Sequence, residues 1–318
     1  MTSFKLADEI IHGRRITRDD DLLFFAETDL EELRSGADKI RKALCGDFVE
    51  LCSIINGRGG ACSENCKFCA QSSHHNTGVE KHVFLDKEII LEDCKRHEVK
   101  GVHRYSIVTA GKSMSGCDLE NECDAYRLIS EQCNIALCAS NGLLSQEDFS
   151  ALYESGVRRY HANIETSRRN FPNVCTTHSF DDKIACIRMA QEMGFSVCSG
   201  GIIGMGETFA DRIDMALTLA ELSVASIPLN ALIPIKGTAF GNLKPITEDE
   251  ILRTVAMFRY INPTAQIRLA AGRNLMSDDG KKAFRSGANA AITGDFLTTS
   301  GNKIDDDKAM LLEMGFRI

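Results

Sequence analysis

Short apolar runs alternate with longer amphipathic stretches along most of the chain. Eight such runs stand out: Phe48–Ile55, Val102–Thr109, Ile135–Ala139, Arg159–Ile164, Ser196–Ile203, Ile227–Ile233, Gln266–Ala271 and Ala288–Ile292. They are rich in Val, Ile and Leu and mostly lack polar alternation, the pattern of parallel strands covered on both faces. The stretches between them carry helix boundaries of one repeated form. Ser145 precedes Asp148 and Gly156 follows; Ser179 precedes Asp182 and Gly194 follows; Thr247 precedes Glu250 and Pro263 follows. The hydroxyl takes up orphan N–H groups, the acid sits at the positive dipole end, and Gly or Pro ends the helix. Eight strand–helix units predict an α/β fold, a (β/α)8 TIM-type barrel. One domain is expected. In it, residues 1 to about 40 form an N-terminal helical extension, about 45–300 the barrel, and about 301–318 a C-terminal helix that starts on a solvated Asp305–Asp307 run.

Composition narrows the function classes. The 318 residues are 43% hydrophobic and 26% charged, which excludes disorder, collagen and coiled coil and allows a large core. Lys and Arg number 37 against 45 acidic residues, a formal charge of −8, and no basic run offers nucleic acid a footprint. No apolar run approaches the ~18 residues that span a bilayer, so no membrane partner is expected. The charged N-terminal stretch lacks a signal-peptide core, which predicts a cytoplasmic protein. Thirteen cysteines in such a chain point to metal, redox chemistry or buried thiols rather than to disulfides.

In a barrel of this class, chemistry belongs at the C-terminal ends of the strands. After the first run and a glycine-rich stretch comes Cys62-Ser-Glu-Asn-Cys66-Lys-Phe-Cys69. Three cysteines at C-x3-C-x2-C can wrap one loop around a compact cluster. Three thiolates leave one iron of a cubane open, whereas a structural zinc site closes with four ligands. Zinc, with His74 or His75 as the fourth ligand, is the alternative reading of the spacing.

The triplet, with Phe68 before its last cysteine, resembles the radical S-adenosylmethionine (SAM) enzymes. Within that class, four further segments are similar to the biotin synthase family. These are Cys69-Ala-Gln-Ser-Ser73 with Thr77-Gly78, Val197 to Glu207, Pro228-Leu-Asn230, and Ile267 to Arg273 together with Leu297-Thr-Thr299. The resemblance runs from roughly residue 30 to 315. It implies a [4Fe–4S] cluster on Cys62, Cys66 and Cys69 whose open iron is chelated by SAM. The implied reaction inserts sulfur between C6 and C9 of dethiobiotin. An electron donor such as flavodoxin or ferredoxin and a homodimer are implied as partners. Phe68, Asn163, Glu165, Gly204 and Gly206 match positions that meet SAM, and Asn163, Asn230, Thr298 and Thr299 match positions near the substrate.

The resemblance also implies an auxiliary iron–sulfur cluster as sulfur source, held by three Cys and one Arg. Cys138, Cys198 and Arg268 match three of these ligands, but the fourth position is Ser106. A serine alkoxide is a poor iron ligand beside thiolate. The expectation is therefore a reorganised cluster on Cys138, Cys198 and one newcomer, with Cys175 preferred over Cys52 and with Arg268 near or on it. Apart from ligation, a buried Arg268 would need an interior carboxylate, for which Glu165 or Glu207 would serve. Cys117 and Cys123 are further candidates at the barrel mouth. Another radical SAM enzyme with a different small-molecule substrate is the alternative, supported by Ser106 and Gly111. A metal-binding protein without catalysis is the reading from another class, and SAM binding separates it.

Overall fold

The computed structural model describes residues 2–295, 297 and 301–318. Phe296 and Thr298–Ser300 lie outside the described residues, and with them both threonines expected near the substrate. Nine strands pair in parallel: β1 (Glu50–Arg58), β2 (Arg104–Thr109), β3 (Ala136–Ser140), β4 (Arg159–His161), β5 (Ser196–Cys198), β6 (Gly201–Ile203), β7 (Ser226–Ala231), β8 (Gln266–Leu269) and β9 (Ala290–Ile292). Their order is β5-β4-β3-β2-β1-β9-β8-β7-β6, and Cys198 of β5 also pairs with Ser226 of β7, which closes the ring. β5 and β6 are two halves of one barrel position, so the expected eight-fold (β/α)8 TIM-type barrel stands.

The fifth position breaks for a steric reason. A Cβ on Gly200 would lie 2.0 Å from the Pro228 carbonyl oxygen, so β7 crosses where no side chain can stand. The Gly200 carbonyl leaves the ladder and accepts from the amides of Ile164 and Glu165 at 3.0 and 3.1 Å. This knot ties the ends of two strands together at the top of the barrel.

Helix starts follow the predicted chemistry. Capping boxes form at Ser145/Asp148, Ser179/Asp182 and Thr247/Glu250, and a fourth forms at Thr208/Asp211. Each satisfies orphan donors at both partners. The N-terminal extension is helical at Ser3–Ile11, Phe24–Glu27 and Leu30–Cys45. It packs on the outer helix Glu248–Ile261, where the Tyr260 hydroxyl donates to the Ser3 carbonyl at 3.2 Å. The C-terminal helix spans Ile304–Glu313. Its acidic start is not wholly solvated as expected: Asp305 and Asp306 are exposed, but Asp307 is buried and pairs with buried Arg273 at 2.7 Å. The pair fastens this helix to the segment after β8. Among the described residues no helix is long and apolar enough to cross a membrane.

Candidate active site

Inward-facing residues of the strands and the loops above them enclose a cavity of about 410 Å³. It has a charged floor, a thiol middle and a cysteine-loop roof.

The floor is Glu50, the first residue of β1, held by three arginines. Arg159 reaches it at 3.0 Å, Arg104 at 3.5 Å, and Arg268 makes a closer contact. Burial alone would push this carboxyl up, but the charges of Arg268, Arg159 and Arg104 bring it down to about 2. Arg268 therefore finds its carboxylate in Glu50, not in Glu165 or Glu207. Glu207 instead pairs with Arg212 at 2.8 Å. Three cations on one anion leave a surplus of positive charge at the floor. Such a surplus in a buried place calls for an anionic neighbour.

Above the floor lie Cys52, Cys138 and Cys198. Register explains their convergence: Cys52 of β1 is level with Arg104 and Ile292 on its neighbours, Cys138 of β3 with Ser106 and Arg159, and Cys198 of β5 with His161 and Ser226. All three thiols are buried and line the cavity. Each is close enough to another for charge on one to act on the next. Burial pushes the Cys52 thiol up to about 11. Burial acts the same way on Cys198, but the His161 hydrogen bond and the Arg268 charge outweigh it and lower its pKa. Ser106, also inward and buried, sits beside Cys138.

Cys175 is not in this group. It ends the short helix Phe171–Val174 above the barrel, with its amide bonded to the Phe171 carbonyl at 3.0 Å. Lys67 donates to the Val174 carbonyl at 3.0 Å and pins that helix to the cysteine loop. The Cys175 and Cys66 sulfurs and a His178 ring nitrogen lie within 4.8 Å of one another. Cys175, expected beside Cys138 and Cys198, is not brought to them: loop packing carries it to the roof, and strand register brings Cys52 to Cys138 and Cys198. Cys117 and Cys123 belong to the outer helix Cys117–Gln132 and do not line the cavity.

The roof is the loop that bears Cys62, Cys66 and Cys69, all half-buried. The loop closes on itself: the Cys62 amide donates to the Gln71 carbonyl at 3.0 Å, Ser73 to Cys62 at 2.8 Å, and Cys69 to Cys66 at 3.0 Å. Phe68 packs on Val174, Met205 and Leu232 and borders the cavity. Burial drives the Cys69 thiol up to about 11. A thiol so placed ionises only with a cation at its sulfur, which is what iron supplies. Three thiols on one loop fit a [4Fe–4S] cluster. His74 bonds the Ser63 carbonyl and His75 the Cys69 carbonyl, at 3.0 and 2.8 Å, and neither borders the cavity with the three thiols.

The remaining expected residues divide. Asn163 accepts from the Gly200 amide at 3.0 Å and donates to Glu165 at 3.3 Å. Glu165 sits in the left-handed region at φ 67°, and burial raises its carboxyl despite nearby Lys183, His161 and Asn163. A non-glycine residue held there marks a strained site. Asn230 borders the cavity, bonded to the Gly201 carbonyl and the Ala271 amide at 3.2 and 3.1 Å. Gly204 and Gly206 do not border it; they shape the turn in which Glu207 accepts from the Gly204 and Met205 amides, each at 2.7 Å.

Sequence reasoning missed Glu50, Arg104 and Arg159. The signal was present: a charge inside each of three apolar runs predicted to be buried.

A closed parallel barrel with a C-x3-C-x2-C loop over its mouth defines a radical SAM protein, and residues 58–219 match the radical SAM superfamily. Residues 228–317 match the Biotin and Thiamin Synthesis associated domain. The biotin synthase of Alkaliphilus metalliredigens is 68% identical over 314 residues, 99% of each chain, and that of Clostridium beijerinckii is 61% identical with the same coverage. The chain belongs to the biotin synthase family. The fold also superposes on the crystal structure of methylornithine synthase, with a TM-score of 0.85 at 20% identity over 98% of this chain and 96% of that one. A maturase of the [FeFe]-hydrogenase superposes at TM-score 0.84 and 15% identity, over 99% of this chain and 74% of that one.

Proposed function

We infer that this chain inserts sulfur between C6 and C9 of dethiobiotin, with Cys62, Cys66 and Cys69 holding the [4Fe–4S] cluster that binds SAM. The sulfur donor in this reading is an auxiliary iron–sulfur cluster on Cys52, Cys138 and Cys198, with Arg268 beside it. The observation that carries it is the buried thiol trio in the same cavity as the cysteine loop, over a floor with surplus positive charge. Thiolates and sulfide are anions, and the surplus charge of the three arginines favours such an anionic group beside them.

When bound, the cluster and SAM supply the one-electron chemistry that takes hydrogen from unactivated C–H bonds. The chain's own part is to place and to exclude. Asn163 and Glu165, fixed by the Gly200 knot, present polar atoms on one wall. Ile54, Val108, Ile202, Leu232 and Ile292 make other walls apolar and keep water out. The reading includes a flavodoxin or ferredoxin as reductant, a homodimer, and a cytoplasmic location.

The test is an anaerobic single turnover of the reconstituted protein with SAM, a reduced donor and dethiobiotin, with products weighed by mass spectrometry. Biotin with 5′-deoxyadenosine is expected. 5′-Deoxyadenosine without biotin would transfer the chemistry to another substrate and point to Ser106 as the reason.

A further inference from the structure

The chain carries a formal charge of −8, yet the outside of its roof is basic. Residues 60–82, which include the cysteine loop, and residues 233–247 hold Lys67, Lys81, Lys236 and Lys244 against two acids, Glu64 and Glu80. Glu64 is buried and paired with His178, so Glu80 is the one exposed acid in these two segments. Lys81, Lys236 and Lys244 are exposed and Lys67 is half-buried. Among the described residues none of the four has an ion-pair partner.

Backbone contacts bring the two segments together over the loop. The Phe240 amide donates to the Lys67 carbonyl at 3.1 Å, and a Cβ on Gly237 would lie 2.1 Å from the Asn76 carbonyl oxygen. Lys236 precedes that close approach. Lys244 follows Leu243, whose amide donates to the Phe240 carbonyl at 3.1 Å. Lys81 crosses the start of the loop: Gly59 and His82 exchange amide bonds at 3.3 and 3.1 Å, and a Cβ on Gly60 would lie 2.7 Å from the Lys81 Cγ. None of the four lysines borders the cavity, so they are not placed to hold a small anion there. Amid them the loop meets solvent at Ala61 and Ser63, with Cys62, Cys66 and Cys69 half-buried.

Unpaired cations around a solvent-facing thiol loop, on a chain that is otherwise acidic, suit an acidic protein partner. The remaining surface repels such a partner, so the basic face also fixes where it lands. Charge complementarity of this kind steers encounter and sets register more than it tightens a complex. Brief electron-transfer contacts are of that small, weak class. We propose that Lys67, Lys81, Lys236 and Lys244 form the docking face for an acidic protein that carries single electrons. The proposal rests on the reading of Cys62, Cys66 and Cys69 as cluster ligands. The carrier gives up one electron and the cluster takes it; no bond forms or breaks.

The test uses a flavodoxin as the acidic carrier and the anaerobically reconstituted full chain. The variant is Lys81→Glu/Lys236→Glu/Lys244→Glu; Lys67, between two cluster cysteines, is left in place. Flavodoxin binding is measured by calorimetry at low and high salt, and 5′-deoxyadenosine formation is measured with reduced flavodoxin and with dithionite. Wild-type binding should weaken as salt rises, and the variant should bind at least about tenfold more weakly at low salt. With dithionite, which needs no docking, the variant should form 5′-deoxyadenosine within about threefold of the wild type. Its iron content and sedimentation should also match. Wild-type protein that forms no 5′-deoxyadenosine with dithionite would overturn the parent reading. Equal flavodoxin binding by the two proteins, or wild-type binding indifferent to salt, would overturn this proposal alone. An equal loss with dithionite would overturn it too, by giving the lysines to the cluster loop itself. So would a changed oligomeric state, which would give the face to a second copy of this chain.

Discussion

At the residue scale, the distribution of cysteines decides the chemistry. Ser106 leaves a gap in an expected ligand set, and Cys52 on the adjoining strand fills the same buried space. Cys175 ends a short helix above the barrel, beside Cys66. The two newcomers therefore predict opposite results. Cys52→Ser should remove most of the auxiliary iron and sulfide while the [4Fe–4S] signal stays, read by Mössbauer spectra and by iron and sulfide content. Cys175→Ser should keep both signals. Loss of auxiliary iron in the second variant and not the first would return the site to Cys175. The chain order alone does not tell the two apart, since each is a lone cysteine outside any ligand spacing.

At the element scale, the broken fifth strand organises the upper wall. A Cβ on Gly201 would lie 2.4 Å from the Glu165 carbonyl oxygen and 2.5 Å from the Met215 sulfur. Glu165 cannot yield freely, because its amide is tied to Gly200 and its carbonyl accepts from Ile202 at 2.9 Å. Gly201→Ala should therefore displace Glu165. Overpacking of this kind costs about 1–3 kcal/mol. The expected result is a melting temperature lower by several degrees, a barrel still intact by circular dichroism, and SAM affinity reduced about tenfold. Unchanged SAM affinity would show that Glu165 does not contact the cofactor. The strand itself was legible as one apolar run, Ser196–Ile203. The break was not, because it depends on how closely β7 passes.

At the scale of the whole molecule, Glu50 ties β1 to β2, β4 and β8 across the barrel floor through Arg104, Arg159 and Arg268. Its carboxyl falls from an ordinary 4.5 to about 2 on folding. A depressed carboxyl contributes stability that is full above the unfolded value and is lost as pH falls from about 4.5 towards 2. The difference corresponds to about 3 kcal/mol. Removing the anion also leaves the buried Arg159 and Arg268 and the half-buried Arg104 with one partner fewer, and breaking a buried pair costs about 3–5 kcal/mol. Glu50→Gln should therefore lower the stability of the cluster-free chain at pH 7 by a few kcal/mol in urea unfolding. It should also flatten the acid limb between about pH 4.5 and 2. An acid limb as steep as the wild type's would mean that another carboxylate carries it.

The sequence by itself determined the barrel, the helix starts and the cysteine loop. These depend on neighbours along the chain: apolar runs that must be covered on two faces, hydroxyls that cap the next turn, three thiols on one loop. Only the tertiary structure decided which distant groups meet. Cys52 meets Cys138 and Cys198 through strand register, Glu50 gathers arginines from three other strands, and Asp307 closes on Arg273. A closed barrel turns alternate residues of every strand towards one axis, and register alone fixes which of them share a level.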